Sequence, residues 1–218
     1  MSDNRTAPFE HCPLCASIEV VDYHRDQRRC YRQCRDCQLV FVPSAFHLSS
    51  DEEKTEYDLH ENDAQNAGYR GFLNRLAQPL LERLEPQSQG LDFGSGPGPC
   101  LSVMLEEQGH SVALYDLYYA NYPTLLESQY DFITATEVVE HLANPQVELD
   151  RLWGLLRPGG QLAMMTKLVA SPEKFANWHY KSDPTHISFF STATFEYLGE
   201  QWGSAPQFIG ADVIIFQK

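Results

Sequence analysis

The sequence predicts an α/β protein with a Rossmann-like sheet and a small cysteine-bearing module at its N-terminus. Residues 91–98, LDFGSGPG, begin as a buried strand and break into a glycine loop, and apolar residues at helical spacing follow. Upstream, two Cys-x-x-Cys pairs have eighteen residues between them, which is the spacing of a four-cysteine zinc site. We therefore place a zinc ribbon at 1–48 and the body at 49–218, and expect them to have separate cores.

Length and charge limit the partners of the chain. A protein of 218 residues with 43% hydrophobic content can bury one core and carry a small appendage. No apolar run approaches a membrane span and no signal-peptide core follows the first residues, so we expect a soluble, cytoplasmic protein. Residues 1–40 carry six arginines against six acids, whereas the remainder carries ten basic residues against twenty-four acids. Such a body repels a phosphate backbone, so a long nucleic-acid footprint is not expected. The oligomeric state stays open.

The cysteine pairs predict a closed, structural zinc site. Each pair places two thiolates on one tight turn, and four sulfurs leave no open coordination position. Disulfides would need an oxidising compartment, which nothing in the sequence indicates, while His11, His24 and Cys30 are alternative ligands. Short strands are expected at 18–23 and 39–42, and the acidic segment 49–54 is interpreted as the link to the body. The predicted zinc ligands are Cys12, Cys15, Cys34 and Cys37.

Alternating strands and helices are predicted for the body. A helix follows an apolar face over 69–84, where Pro79 would kink or split it. Fourteen residues separate Asp116 from Asp131, so the third strand of such a sheet is expected to be short or absent. Residues 157–160, RPGG, predict a turn into the following strand. Strands are expected near 90–93, 112–115, 131–135, 161–166, 207–210 and 212–217, and helices near 99–108, 145–156 and 192–201.

The glycine loop indicates a nucleoside-bearing cofactor. Dinucleotide enzymes use G-x-G-x-x-G to seat a pyrophosphate on a helix N-terminus, whereas Gly94, Gly96 and Gly98 alternate. An acid followed by G-x-G-x-G resembles the first motif of the class I S-adenosylmethionine (SAM) methyltransferases. In that family the loop packs under the methionine part of SAM, and the acid after the second strand, in this chain Asp116, holds the ribose. A nicotinamide oxidoreductase is the weaker alternative.

This resemblance implies a set of cofactor contacts. Because the usual adenine-contacting acid falls in the shortened region, Leu117 and Tyr118 are expected to cover the adenine ring. The helix before the first strand often covers the cofactor in this family, which brings Tyr57 and Tyr69 near it. The cofactor-binding residues implied are Asp92, Gly94, Ser95, Gly96, Gly98, Asp116, Leu117 and Thr136.

Two carboxylates and a histidine follow the predicted fourth strand. In a helical turn, Glu137, Glu140 and His141 share one face through the i, i+3, i+4 spacing. Residues 178–191 are dense in aromatics and histidines, which predicts an active-site lid. E-x-x-E-H with a distant histidine resembles the ubiquinone-pathway O-methyltransferases and the small-RNA 3′-terminal 2′-O-methyltransferases, whose four side chains bind a divalent metal. Carried over, the ligands are Glu137, Glu140, His141 and His186, and the catalytic residues are Glu137, His141, His179 and His186.

Together these motifs resemble the methyltransferase-23 group within class I. The resemblance implies a SAM-dependent methyltransferase acting on a hydroxyl oxygen of a small-molecule acceptor, with or without help from a second divalent metal. Zinc-bearing relatives include sugar C-methyltransferases, and an RNA end is another alternative acceptor. Two further alternatives are that Glu140 and His141 cap their turn without a metal, and that the chain is a non-catalytic scaffold docking a partner through Arg28 and Arg32.

Overall fold

The N-terminal part of the protein is a small antiparallel ribbon followed by a helix. A computed structural model of the chain describes residues 11–59 and 63–218. The sequence analysis predicts two ribbon strands and misses the central one, at Cys30–Cys34. The segment 49–54, interpreted as a link, begins a helix instead. Ser49 caps this helix, because its hydroxyl accepts from the Glu52 amide while the Glu52 carboxylate accepts from the Ser49 amide. In chain order the elements are β1 (Val20–Arg25), β2 (Cys30–Cys34), β3 (Val40–Phe41) and α1 (Ser50–Tyr57).

The body alternates helices and strands, which confirms the predicted α/β class. Its elements are α2 (Ala67–Leu81), β4 (Gln89–Phe93), α3 (Cys100–Glu106), β5 (Ser111–Tyr115), β6 (Tyr130–Thr136), α4 (Pro145–Leu155), β7 (Leu156–Met165), α5 (Pro172–Ala176), β8 (Ser188–Phe189), α6 (Thr192–Trp202), β9 (Gln207–Ile209) and β10 (Val213–Gln217). The main sheet has the order β5-β4-β6-β7-β10-β9. Strands β4 to β7 pair in parallel, and β10 is antiparallel to β7 and β9. Within the described ranges, no helix combines the length and apolarity needed to cross a membrane.

Three local expectations have clear outcomes. Residues 117–129 form an isolated bridge and a 3₁₀ turn in place of a strand, so the predicted loss of the third strand is confirmed. Helix α2 continues through Pro79, because the proline lies in the last turn and removes a single backbone bond. The predicted turn 157–160 is a bulge inside β7, since the pairing passes from Tyr130 with Leu156 to Phe132 with Gln161.

The ribbon and the body share one core. Strand β3 pairs with β8, which gives a second sheet of order β1-β2-β3-β8. Leu14, Leu39 and Phe41 of the ribbon belong to the same buried cluster as Phe190 and Phe195 of the body. The expectation of separate cores is therefore wrong, because a strand contributed by the body completes the ribbon sheet. The boundary between 48 and 49 stays a prediction.

Candidate active site

A cavity of about 810 Å³ opens at the carboxyl ends of β4, β5 and β6. Parallel strands end along one edge of a sheet, so residues far apart in sequence meet there. The walls comprise the glycine loop, Asp116, residues 136–138 and most of residues 179–187. These last residues are the part of the predicted lid segment 178–191 that we call the lid from here on. Ligand cavities have volumes of about 300–1,000 Å³, so this one has room for a cofactor and a small acceptor.

The glycine loop is tied to the end of β5. Gly94 and Gly96 have φ of 73° and 64°, a left-handed conformation that favours glycine. A Cβ on Gly94 would lie 2.5 Å from a methyl of Val138, so the loop packs directly on the turn after β6. The amide of Gly94 donates to the carbonyl of Tyr115 at 2.8 Å. These contacts fix the loop as one wall of the cavity.

Asp116 is held by backbone amides around it. Its Oδ1 accepts from the amides of Tyr118 and Tyr119 at 2.8 and 3.1 Å, and its Oδ2 accepts from Gly96 at 2.9 Å. A carboxylate accepts about four hydrogen bonds, so this arrangement leaves capacity for about one more, on Oδ2. Asp116 can therefore accept a hydrogen bond from one of the two ribose hydroxyls without rearrangement, but not from both.

Buried polar atoms along the cavity fit a polar ligand. Asp92 is buried and accepts from the Thr134 hydroxyl at 2.7 Å; burial raises the pKa of Asp92 to about 6. Ser95 Oγ and Thr136 Oγ1 are buried with no hydrogen-bond partner among the described residues. Buried hydroxyls are normally paired, so these two atoms suit the polar groups of a cofactor seated on the loop. The predicted contacts Leu117, Tyr118, Tyr57 and Tyr69 also line the cavity.

Two carboxylates meet at Tyr180, beyond the end of β6. Glu140 is fully buried and accepts a short hydrogen bond from the Tyr180 hydroxyl, which lies 3.4 Å from Glu137 Oε2. Burial raises the pKa of Glu137 to about 7. Burial and the charge of Glu137 raise the pKa of Glu140 to about 8. Glu137 Oε1 and Glu140 Oε2 have no partner among the described residues, so both carboxylates keep an acceptor oxygen.

The two histidines beside these carboxylates are oriented by backbone carbonyls. His141 Nδ1 lies 3.2 Å from the carbonyl of Thr185, and His186 Nδ1 lies 2.7 Å from the carbonyl of Tyr180. A carbonyl only accepts, so each Nδ1 carries the proton in these contacts. His186 Nε2 lies 3.8 Å from Asp183 Oδ2. The ring centroids lie 4.7 Å apart. This tautomer suits a base or a metal ligand at Nε2.

The predicted second metal site is brought together in part. Glu140, His141 and His186 offer ligand atoms within 4.8 Å of one another, and Glu137 is outside this group. The turn explains the difference: a 3₁₀ helix covers Val139–His141, and Glu137 precedes it in a left-handed conformation with φ of 52°. His179 is also outside this group, but it lines the same cavity, with Nε2 3.1 Å from Lys167 Nζ.

The four cysteines form a second candidate metal centre. Their sulfurs lie within 4.8 Å of one another, and Cys12 with Cys37 and Cys15 with Cys34 are separated by 3.4 and 3.5 Å. Tetrahedral zinc with bonds of about 2.3 Å places sulfurs roughly 3.8 Å apart, so the cluster fits zinc. The hydrogen bond from Cys37 lowers the pKa of Cys12 to about 6, which favours a thiolate.

The two halves of this centre have the same local geometry. Ala16 and Gln38 each follow a cysteine pair with φ near 60°, at 58° and 61°. Their amides donate to the carbonyls of Cys12 and Cys34, the first cysteine of each pair. Two equivalent knuckles thus present two sulfurs each, as the Cys-x-x-Cys spacing predicts.

Tyr180 and Lys167 are site residues that the sequence patterns did not reveal. Tyr180 stands in the aromatic segment predicted as a lid, but its role depends on contacts with residues forty or more positions away. Lys167 lies two residues after the end of β7, so its position after a parallel strand was the available signal.

The fold and the cavity define a class I SAM-dependent methyltransferase. A family model described as a methyltransferase domain, methyltransferase-23, matches residues 64–204. The chain therefore belongs to the methyltransferase-23 family. This result excludes the nicotinamide oxidoreductase and argues against a non-catalytic scaffold.

Solved structures share the fold at low sequence identity. A 1,6-didemethyltoxoflavin-N1-methyltransferase from Burkholderia thailandensis is 15% identical with a TM-score of 0.52, over 90% of this chain and 98% of that one. A SAM-dependent methyltransferase from Archaeoglobus fulgidus is 16% identical with a TM-score of 0.54, over 68% of this chain and 94% of that one. A search of curated proteins gave no match. Identities this low support the fold and leave the acceptor to be argued from the site.

Proposed function

We propose that this enzyme transfers the methyl group of SAM to a hydroxyl oxygen of a small-molecule acceptor. The observation that carries the proposal is the meeting of the half-buried Glu137, the buried Glu140 and two oriented histidines beside the glycine loop. Of these, Glu137, His141 and His186 line the same cavity as the loop. A hydroxyl is a poor nucleophile until its proton is removed. The cluster provides acceptor atoms for that proton at the end of β6.

In this proposal SAM occupies the glycine-loop side of the cavity. Ser95 Oγ, Thr136 Oγ1 and the open acceptor position on Asp116 would meet its polar groups. When bound, SAM supplies a methyl carbon on a positively charged sulfur. The residues of the chain then have to bring an oxygen nucleophile into line with that carbon.

Glu137 is the proposed general base. Glu137 lines the cavity, its Oε1 has no partner among the described residues, and a pKa of about 7 matches a base that works around neutral pH. As the acceptor oxygen forms its bond to the methyl carbon, the carbon–sulfur bond breaks and its electron pair stays on sulfur. The hydroxyl proton passes to Glu137. The single proton of the Tyr180 hydroxyl is donated to Glu140 in the shorter contact, and Glu137 Oε2 lies 3.4 Å from the same hydroxyl oxygen.

Glu140, His141 and His186 are the residues that would hold a second divalent ion. Their oxygen and nitrogen atoms suit Mg²⁺, Mn²⁺ or Zn²⁺. Such an ion would lower the pKa of an acceptor hydroxyl. Without an ion, the Nε2 atoms of the two histidines hydrogen-bond the acceptor. Glu137 is the general base with or without the ion.

Cavity size and charge favour a small acceptor. The cavity holds about 810 Å³ in a chain with a net charge of −14. An acidic protein attracts a polynucleotide weakly, which argues against an RNA end. The Burkholderia structure contains 1,6-didemethyltoxoflavin together with S-adenosylhomocysteine, so this fold accommodates a small ring system beside the cofactor product.

The test is a screen of acceptors with and without the proposed base. Purified enzyme and SAM are incubated with catechols, simple phenols, polyols and matched aromatic amines, and S-adenosylhomocysteine is measured. We expect turnover with a hydroxyl acceptor, and a loss of about 10²–10⁴-fold in Glu137→Gln. Glu200→Gln, on the exposed face of α6, is the matched control and should keep the wild-type rate.

Several outcomes would decide against parts of this proposal. Turnover of amines without hydroxyl acceptors would refute O-methylation, and an unchanged rate in Glu137→Gln would remove Glu137 as the base. Mild chelation and His186→Ala address the second metal separately. Full activity in both would leave the histidines as hydrogen-bonding groups only.

A further inference from the structure

An arginine of the cysteine ribbon is buried against the lid. Arg29, in the turn before β2, is 7% exposed. Its Nη2 donates to the carbonyls of Lys181 and Asp183 at 2.8 Å each, and its Nη1 donates to the carbonyl of Pro184 at 3.0 Å. A planar guanidinium with five N–H groups can hold several carbonyls in one fixed geometry. Arg29 thus holds three lid carbonyls around one side chain.

Other side chains of the ribbon hold Arg29 in this position. Its Nε donates to the Tyr31 hydroxyl at 3.0 Å, and its amide donates to Asp26 Oδ1 at 3.0 Å. Asp26 Oδ2 in turn accepts from Lys181 Nζ at 2.9 Å and from the Tyr31 hydroxyl at 3.0 Å. Lys181 is itself buried. The ribbon turn and the lid are therefore joined by a network of buried, charge-assisted hydrogen bonds, which are the stronger kind.

A second connection between ribbon and lid runs through the backbone of Ile187. Its carbonyl accepts from the amide of Val42, and its amide donates to the carbonyl of Glu140, both at 2.8 Å. Val42 directly follows β3, and Glu140 is the buried carboxylate that accepts from Tyr180. One hydrogen bond thus joins the ribbon to the end of the lid, and a second joins the end of the lid to the turn after β6.

The lid backbone determines the state of both histidines. The carbonyl that holds His186 Nδ1 belongs to Tyr180, and the carbonyl that holds His141 Nδ1 belongs to Thr185. Both carbonyls lie within one residue of the segment 181–184 that Arg29 holds. A shift of that segment would release the Nδ1 protons and turn both rings.

We propose that Arg29 is a positioning residue for the acceptor side of the site. It fixes the lid so that His141 and His186, which both line the cavity, keep their Nδ1–H tautomer, and this makes the ribbon part of the catalytic architecture. Among the described residues, the hydrogen bonds of the Arg29 side chain go to Tyr31 and to the lid rather than to the glycine loop, so cofactor binding should not depend on Arg29. The inference deepens the proposed function, and it depends on that function for its turnover measurement alone.

The test compares Arg29→Ala and Arg29→Lys with Arg32→Ala. Arg32 is on β2 of the same ribbon and pairs with Asp22 on the neighbouring strand, so it is the matched control. Nitrogen NMR of labelled histidine at pH 8 reports which ring nitrogen carries the proton, because an ordinary imidazole is neutral at that pH. Hydrogen exchange follows the amides of Thr185 and Ile187, and calorimetry follows S-adenosylhomocysteine binding.

In Arg29→Ala we expect both histidines to become mixtures of the Nδ1–H and Nε2–H tautomers, instead of the Nδ1–H tautomer alone. The two lid amides should exchange about tenfold faster or more, because local opening no longer breaks the arginine hydrogen bonds. Affinity for S-adenosylhomocysteine should stay within about twofold, and turnover of the screened acceptor should fall about tenfold or more. Arg29→Lys should restore part of the histidine signal, since an ammonium can donate to the same carbonyls, and Arg32→Ala should match the wild type.

Unchanged histidine signals and lid exchange in Arg29→Ala would overturn the inference. An equal loss of cofactor affinity and lid order would also overturn it, because positioning of the acceptor side alone leaves the glycine loop intact. If Arg29→Ala does not fold, the same criteria apply to Arg29→Lys. Absence of hydroxyl turnover in the wild type would refute the proposed function and leave the lid measurements to decide this inference.

Discussion

Replacing Asp92 with asparagine should remove a defined part of the pH dependence of stability. Asp92 is 4% exposed, and burial raises the pKa of its carboxyl to about 6 despite the hydrogen bond from Thr134. An unfolded aspartate titrates near pH 3.9, so the native protein holds a proton that the unfolded chain releases over a window of about two pH units. At about 1.4 kcal/mol per unit, the free energy of unfolding should fall by about 3 kcal/mol as the pH rises from about 4 to about 6.

The measurement is urea denaturation of the wild type and Asp92→Asn at intervals from pH 4 to pH 8. Glu137 and Glu140 have raised pKa values in both proteins, so subtracting the two curves isolates Asp92. The difference should change by about 3 kcal/mol below about pH 6 and be flat above it. The Thr134 hydroxyl can still donate to the amide oxygen of Asn at this position, so the hydrogen bond is kept.

Asp131→Asn is a control of opposite sign. Burial alone would raise the pKa of Asp131, but the amide of Gln89 and the guanidinium of Arg157 together lower it. A lowered pKa stabilises the native state above the unfolded pKa, and that stabilisation is lost as the pH falls through the folded value. The difference curve for Asp131→Asn, extended to pH 3, should therefore slope below about pH 4, in the direction opposite to that of Asp92→Asn between about pH 4 and about pH 6. A flat curve for Asp92→Asn would show that its carboxyl is ionised in the native state, contrary to the burial argument.

Two further predictions concern the cofactor and the ribbon. Asp116→Ala should weaken binding of S-adenosylhomocysteine by about 1.5–3 kcal/mol, measured by calorimetry, because a charged hydrogen-bond acceptor is lost; unchanged affinity would remove Asp116 from the site. Elemental analysis should find one zinc per chain, and Cys37→Ser should lose it and lower the urea midpoint of the whole chain in a single transition, since Cys37 is buried in the core cluster that also holds Phe190. Full zinc occupancy in that variant would refute the four-cysteine assignment, and a separate early transition would refute the shared core.

The parts of the fold that follow local patterns were predictable from the sequence. The glycine loop after β4, the knuckles around Cys12 and Cys34, and the main strands and helices each depend on spacing within one short segment. The missing third strand was also predictable, because fourteen residues cannot hold a helix and a strand. These features need no knowledge of distant contacts.

The connections across the chain were not predictable in the same way. Val40 pairs with Phe189, and Arg29 donates to a carbonyl 152 positions away. Neither β3 nor β8 has more than two residues, so their composition carries little β signal. β3 and β8 pair because the ribbon and the body share one hydrophobic core. A sequence analysis that takes each segment separately predicts two cores instead. The lid was predictable as an aromatic segment, but the partners of Tyr180 and Arg29 were not.

Glu137 shows why the turn after β6 departs from the helical turn that its spacing predicts. Its φ of 52° places a non-glycine residue in the left-handed region, at a cost of about 1–2 kcal/mol. Its amide donates to the carbonyl of Met165 at 2.8 Å, and Val139, two residues later, is fully buried, so the surrounding structure holds the conformation. Glycine would adopt this backbone without strain but would remove a carboxylate from the cavity wall. Glu137 thus keeps a carboxylate at a backbone position that favours glycine, next to the buried carboxylate of Glu140. This indicates that the turn gives up some conformational stability in order to place a functional group in the site.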